Sequence, residues 1–317
     1  MSMKFLAVQL FSLSMIIATA ATSLANGIGP CEETRHSFIG FGKATGIVIV
    51  DEAGAVEWNM KLPASDGWML DSGNIIAAIY PCQKFPKGGV AEIERQSKKI
   101  LWEYQGQQKE ISTVQPIGEN RYLVTELGPE PRAIVINQQG ELLSSTPLDC
   151  QKSNAHMQTR MLRILPNGNY IAPHLLDFAV KEYEPITGKV VRVFKTDDRG
   201  RDKRDWPFTA IRLDNGNTVI GCTNGNRVIE VTPDGKIMWS VDNADIGEKL
   251  ISDACGVQRL PNGNTVITSY YAKGDQVKLT EVTPDKKVVW RFNALPSSFH
   301  HFQILTTNGK PLASALR

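Results

Sequence analysis

From about residue 38 onward the chain alternates short apolar, β-branched runs with clusters of Asn, Gly, Pro and Asp. Gly46-Ile47-Val48-Ile49-Val50, Ala55-Val56-Glu57-Trp58 and Thr265-Val266-Ile267-Thr268 are typical of the runs, and their length, branching and polar punctuation predict strands. After residue 25 no helical periodicity outlasts a loop such as Asp242 to Leu250, which excludes a doubly wound or helical fold. An all-β domain follows.

The punctuation repeats. Leu165-Pro166-Asn167-Gly168-Asn169, Leu213-Asp214-Asn215-Gly216-Asn217 and Leu260-Pro261-Asn262-Gly263-Asn264 are near-identical, and weaker copies occur at Asp71 to Asn74, Ile117 to Asn120 and Thr307 to Lys310. Their glycines, Gly73, Gly118, Gly168, Gly216, Gly263 and Gly309, recur every 45 to 50 residues, the length of one four-stranded propeller blade. Asn-Gly accepts positive φ and predicts a two-residue hairpin joining the first and second strands of each blade. A second motif, Thr232-Pro233-Asp234-Gly235-Lys236-Ile237-Met238-Trp239 and Thr283-Pro284-Asp285-Lys286-Lys287-Val288-Val289-Trp290, joins the third strand to the fourth. Looser copies run from Asp51 to Trp58 and from Ser97 to Trp102, while Ser144 and Arg192 replace the tryptophan in the other two. The tryptophans therefore read as packing between blades.

The last turn, at Gly309, lacks a third and fourth strand, whereas Phe38 to Trp58 lacks a first. Phe299 to Leu305 is expected to supply the inner strand of a shared blade, closing the ring and hiding its edges. The fold class is thus all-β, a six-bladed β-propeller with four-stranded blades and one composite blade. A seventh blade would require a further strand pair within Cys31 to Gly42.

Residues 1–25 open with Lys4, continue as the apolar run Phe5 to Ile17 and end in the small residues Ser23-Leu24-Ala25, the pattern of a cleaved export signal. Residues 26–317 are expected to form the propeller, with the mature chain starting near Asn26, in the periplasm or secreted, and with no integral membrane segment once the signal is removed. Loss of Lys4 takes the formal charge from +2 to +1, so nothing calls for nucleic acid or an anionic membrane as partner. The five cysteines, Cys31, Cys82, Cys150, Cys222 and Cys255, allow disulfides in an oxidising compartment but leave at least one thiol free. None sits in a C-x-x-C pair.

Function in propellers concentrates at the mouth of the central channel, on loops that enter the inner strands. Those segments are Asp66-Gly67-Trp68, Lys109 to Ser112, His156-Met157-Gln158, Asp205-Trp206-Pro207, Ser252-Asp253-Ala254 and Phe299-His300-His301. His156, His300 and His301 suit nucleophilic or acid–base chemistry near neutral pH. Trp68, Glu110, Trp206 and Asp253 are candidate ligand contacts, with His174 leaning over the same mouth from a second-to-third strand loop; His36 reads as peripheral. The tract Asp197 to Asp205 mixes both signs and reads as a solvated loop between blades. No H-E-x-x-H or EF-hand spacing appears, so no metal is expected.

Through Pro-Asn-Gly-Asn followed by Pro-Asp-Gly-Lys-x-x-Trp, the chain resembles the pyrroloquinoline-quinone-like propeller repeats over nearly all of its length after the leader. Quinone-dependent members have eight blades and a Cys-Cys pair. Six blades and no such pair imply that no quinone, and no other cofactor, is bound. Noncatalytic periplasmic members, including the outer-membrane assembly lipoprotein, imply a module that binds a protein or a small molecule at its channel mouth. The chain is also similar to bacterial arylsulfotransferase propellers at segments of the type His-x-x-x-x-x-Leu-Pro-Asn-Gly-Asn. That similarity implies an enzyme in which His300 or His301 is the nucleophile and His156 and Arg160 stabilise the transferred anion.

Overall fold

The computed structural model describes residues 33–312 and 317, of which Thr34 onward forms one compact unit. The expected export signal, residues 1–25, and Cys31 lie outside the described residues. Six antiparallel sheets follow one another along the chain, with inner strands Ala64–Met69, Glu110–Pro116, Arg163–Ile164, Asp205–Arg212, Val257–Arg259 and His301–Thr307. In the shared blade His301–Thr307 pairs with His36–Gly42, placing Gln303 opposite Ile39, and Gly46–Val50 and Val56–Met60 complete it outward. The short strand Lys310–Pro311 adds a fifth member beyond the inner strand. His36–Gly42 is thus a second strand of this blade, and the ring has six blades.

The core lies between blades. Ile76, Ala78 and Val90 of the first complete blade pack on Val114, Val124 and Ile134 of the next, and Ile171 and Val180 pack on Ala210, Ile220 and Ile229. Inner and middle strands are covered on both faces, which explains continuous apolar runs such as Ile47 to Val50. The only α-helix among the described residues is Asn243–Ile246, inside the Asp242 to Leu250 loop, held by a capping box between Asp242 and Asp245.

All six turn glycines have positive φ, from 75° to 87°. The turn itself differs from the expected two-residue hairpin. At Gly168 the Leu165 amide bonds to the Asn169 carbonyl and the Gly168 amide returns to the Leu165 carbonyl, so three residues span the loop. Asn167 keeps negative φ because its side-chain oxygen accepts the Asn169 amide at 3.1 Å, leaving the left-handed position to glycine alone. Only the degenerate Asn308-Gly309 copy is the two-residue form, with both φ positive and Thr307 opposite Lys310.

The last asparagine of each intact motif has its own task. Asn169, Asn217 and Asn264 donate to Glu182, Glu230 and Glu281 of the third strand at 2.8, 2.8 and 2.7 Å. The second oxygen of each carboxylate faces a donor on the following blade: Arg212 at 3.1 Å, Arg259 at 2.9 Å and His36 at 2.8 Å. His36 is therefore not peripheral but a buried part of the ring closure. Outer-strand tryptophans also join blades, Trp58 donating to the Arg95 carbonyl and Trp239 to that of Pro284. Arg192, in a tryptophan position, reaches the equivalent Pro233 carbonyl at 3.3 Å.

Candidate functional site

Depth in the channel follows from counting back along each inner strand from its turn glycine at about 3.3 Å per residue. His156 lies twelve residues before Gly168, His300 nine before Gly309, Glu110 eight before Gly118 and Trp68 only five before Gly73. The first three gather at the mouth, whereas Trp68 lies toward the turns.

At the mouth, the short 3-10 turn Ala155–Met157, capped by Asn154, projects His156 into solvent. Its Nδ1 lies 3.0 Å from Glu110 Oε2, and Arg160 Nη1 donates to Glu110 Oε1 at 2.6 Å. Arg160 is fully buried, donates also to the His156 carbonyl, and stands over the Phe208 ring at 6.0 Å. Burial alone would raise the Glu110 pKa, but Arg160 and His156 bring it down to about 2. Beside this ion pair the buried His300 ring stacks on Tyr270, with centroids 3.8 Å apart, and lies parallel to Phe208, at 5.8 Å and 4°. Its Nδ1 is 3.4 Å from the Tyr80 hydroxyl. Burial, reinforced by the positive charges of Arg160 and His156, holds the His300 pKa well below its ordinary value, so the ring is neutral at pH 7.

Two further candidates border this cluster. Asp253 is buried beside Cys255, accepts the Asn224 amide at 2.7 Å and the Thr223 hydroxyl, and is pushed up to about 6 by burial. Trp206 packs with Met161, Leu175, Phe208 and Cys255, and its indole N–H has no partner among the described residues. The mixed-charge tract before it is tied down rather than free, through Arg199 on Asp205 at 2.6 Å and Arg227 on Asp198.

Three expected mouth residues lie elsewhere. His174 is wholly buried, its Nδ1 3.0 Å from the Gln158 carbonyl and its Nε2 2.7 Å from the Tyr183 hydroxyl. Burial lowers its pKa to about 4, and it serves packing. His301 follows His300 on the strand, and alternation turns it away to Asp66, Arg163 and Arg317 deeper in the channel. Trp68 lies with that deeper group. Sequence reading missed Tyr80 and Tyr270, although each stands seven residues after its turn glycine, where the second strand returns to the mouth. Leu175 and Thr223 share that phase.

No three potential metal ligands cluster among the described residues. The four described cysteines are free, and burial pushes the Cys150 and Cys222 thiols up to about 12. No described helix is long and apolar enough to cross a membrane.

Fold and channel define a six-bladed β-propeller with a polar, aromatic-walled mouth. No protein-family model and no curated protein matches the chain. Its fold is shared with a crystal structure of a protein of unknown function from Bacteroides caccae, at 19% identity and TM-score 0.72 over 88% of this chain and all of that one. Virginiamycin B lyase from Staphylococcus aureus aligns at 14% identity and TM-score 0.52, covering 74% of this chain and 71% of that one. A chain of the nidogen/laminin complex aligns at 9% and 0.59, covering 86% and 98%. These likenesses concern the fold alone.

Proposed function

We propose that the protein is an exported binding module that holds a small aromatic ligand at the mouth of its channel. The observation that carries this reading is the stack Phe208, His300 and Tyr270 beside the His156–Glu110–Arg160 ion pair. A flat ligand ring extends such a stack, and half-exposed His156 offers a donor to an anionic substituent. Export rests on residues 1–25, and amino-terminal sequencing of protein recovered outside the cytoplasm should begin near Asn26. Binding is tested by thermal shift with aryl sulfates, hydroxybenzoates and aliphatic sulfonates as controls, since a ligand selective for the native state raises its stability. Aromatic compounds should raise Tm in the wild type and less in His156→Ala. Equal shifts with aliphatic controls would sink the reading.

A second reading, arylsulfotransferase-like group transfer, is favoured by the neutrality of His300, since an unprotonated imidazole is a nucleophile. The His300 ring nitrogen would attack the sulfur of an aryl sulfate as the ester S–O bond breaks and phenolate leaves, and a second phenol would accept the group. The reading assigns the attack to His300 rather than His301, because His301 turns from the mouth to Asp66, Arg163 and Arg317. Intact-protein mass spectrometry after mixing with an aryl sulfate tests it; an unmodified protein that releases no phenol would leave only the binding reading.

A further inference from the structure

Deeper in the channel, away from the mouth, one guanidinium is held by an unusual set of groups. Arg317 Cζ lies 3.6 Å from the centre of the Trp68 ring, and Nη1 is 3.2 Å from both the Phe302 carbonyl and His301 Nδ1. Nη2 donates to the Gly67 carbonyl. The Phe302 amide lies 2.8 Å from His301 Nδ1 and the Phe302 carbonyl 2.9 Å from the same nitrogen, so Nδ1 accepts from the guanidinium in the tautomer that carries its proton on Nε2. An aromatic face, two carbonyls and an imidazole nitrogen thus converge on one planar cation.

The fit is specific, yet Arg317 is not firmly neutralised by a side chain. Asp66 is the nearest carboxylate, and Arg163 already takes both its oxygens, at 2.8 and 3.0 Å, leaving Arg317 at 3.7 Å. The Arg317 Nε–H is buried with no partner among the described residues. Burial, only partly offset by Asp66 and reinforced by like-charge repulsion from Arg163, holds the pKa of Arg317 well below its ordinary value, so seating this cation carries a desolvation cost that its release relieves. Beside it opens a cavity of about 630 Å³ whose walls include Trp68, Ile164, Ile211 and Leu213. That space admits a ligand and houses its apolar body.

We propose that this is a second binding site, one for the guanidinium of an arginine side chain presented by a ligand, and that Arg317 occupies it from within the same chain. Free arginine and an arginine within a peptide share the recognised chemistry. The site is independent of the mouth. Wild-type protein binds external arginine weakly because its own side chain competes, and removing that competitor strengthens binding by the reciprocal of the fraction of time the site stood open.

The experiment compares wild type with Arg317→Ala, and with Arg317→Lys should the alanine variant not fold, by calorimetry with arginine, N-acetyl-arginine amide and a short arginine-containing peptide. Lysine is the control, since an ammonium neither stacks as a plane nor presents the fork. The expected result is a gain of roughly tenfold or more in affinity for an arginine compound over wild type. That gain should be absent for lysine and lost on adding Trp68→Leu. Binding of the peptide but not the free amino acid assigns the site to a partner segment; binding of both assigns it to a small ligand. A folded variant that binds no arginine compound, or that binds arginine and lysine alike or no better than wild type does, overturns the proposal.

Discussion

His36 Nε2 lies 2.8 Å from Glu281 Oε2, both side chains buried, and this contact joins the chain's first described strand to the blade before the closure. Asn264 holds the other carboxylate oxygen, so Glu281 is satisfied only when the ring is closed. Replacing His36 with leucine leaves a buried carboxylate short of a donor, at a cost of about 3 kcal/mol. Urea unfolding should show it, and Glu281→Gln, which keeps an acceptor oxygen for Asn264, should cost less. Equal stability of His36→Leu and wild type would refute this account of the closure.

The mouth makes a similar comparison. Arg160 is buried on Glu110, whereas His156 meets the same carboxylate from the surface. Arg160→Met should therefore destabilise by about 3 kcal/mol by leaving Glu110 buried without its cation. His156→Ala should cost less than about 1 kcal/mol, as exposed pairs do. Chemical denaturation of both variants checks the ranking, and a large loss in His156→Ala would mean that the rim histidine is structural.

How far the sequence reached is visible in these same residues. The turn glycines and the Asn-Gly spacing gave ring, blade count and composite closure, because a repeated turn imposes a repeated backbone. Depth was harder. His300 and His301 are adjacent in sequence yet belong to different clusters, since a strand sends neighbours to opposite sides. Trp68 stands apart from the mouth residues because distance from the turn glycine, and not position on an approach loop, sets depth in the channel. Glu182, Glu230 and Glu281 escaped notice because their partners come from two blades, and only the ring brings those donors together.

Acid should weaken the fold earlier than its carboxylates alone require. Burial holds His174 at about 4 and His301 at about 3, and His300 lies well below its ordinary value. Below about pH 6.5 the unfolded chain takes up protons at these three positions while the native state does not, so stability falls as pH falls. Asp253 acts oppositely: at about 6 in the native state, it binds a proton between pH 6 and 4 that the unfolded chain releases, offsetting one of the three. Glu110, at about 2, adds its loss only below pH 4.5. Each uncompensated proton is worth about 1.4 kcal/mol per pH unit. Urea midpoints measured from pH 7 to 4.5 should decline throughout, and a flat profile would show that these histidines titrate normally.

Two glycines separate backbone strain from crowding. A Cβ on Gly168 would meet nothing within 4 Å, but φ is 87°, so Gly168→Ala should cost about 1–2 kcal/mol from conformation alone. Gly67 lies in an ordinary strand, yet a Cβ there would stand 2.6 Å from the Ile76 carbonyl oxygen and 2.3 Å from the Phe41 ring. Both obstacles are fixed, Phe41 and Ile76 each lying fully buried in the core on either side of this blade, so Gly67→Ala should cost more than Gly168→Ala and shift the strand that carries Trp68. Arginine binding by Arg317→Ala should then weaken when Gly67→Ala is added, whereas Gly168→Ala should leave it unchanged. Thermal unfolding and calorimetry on the single and combined variants measure both effects, and equal destabilisation by the two alanines would contradict the distinction.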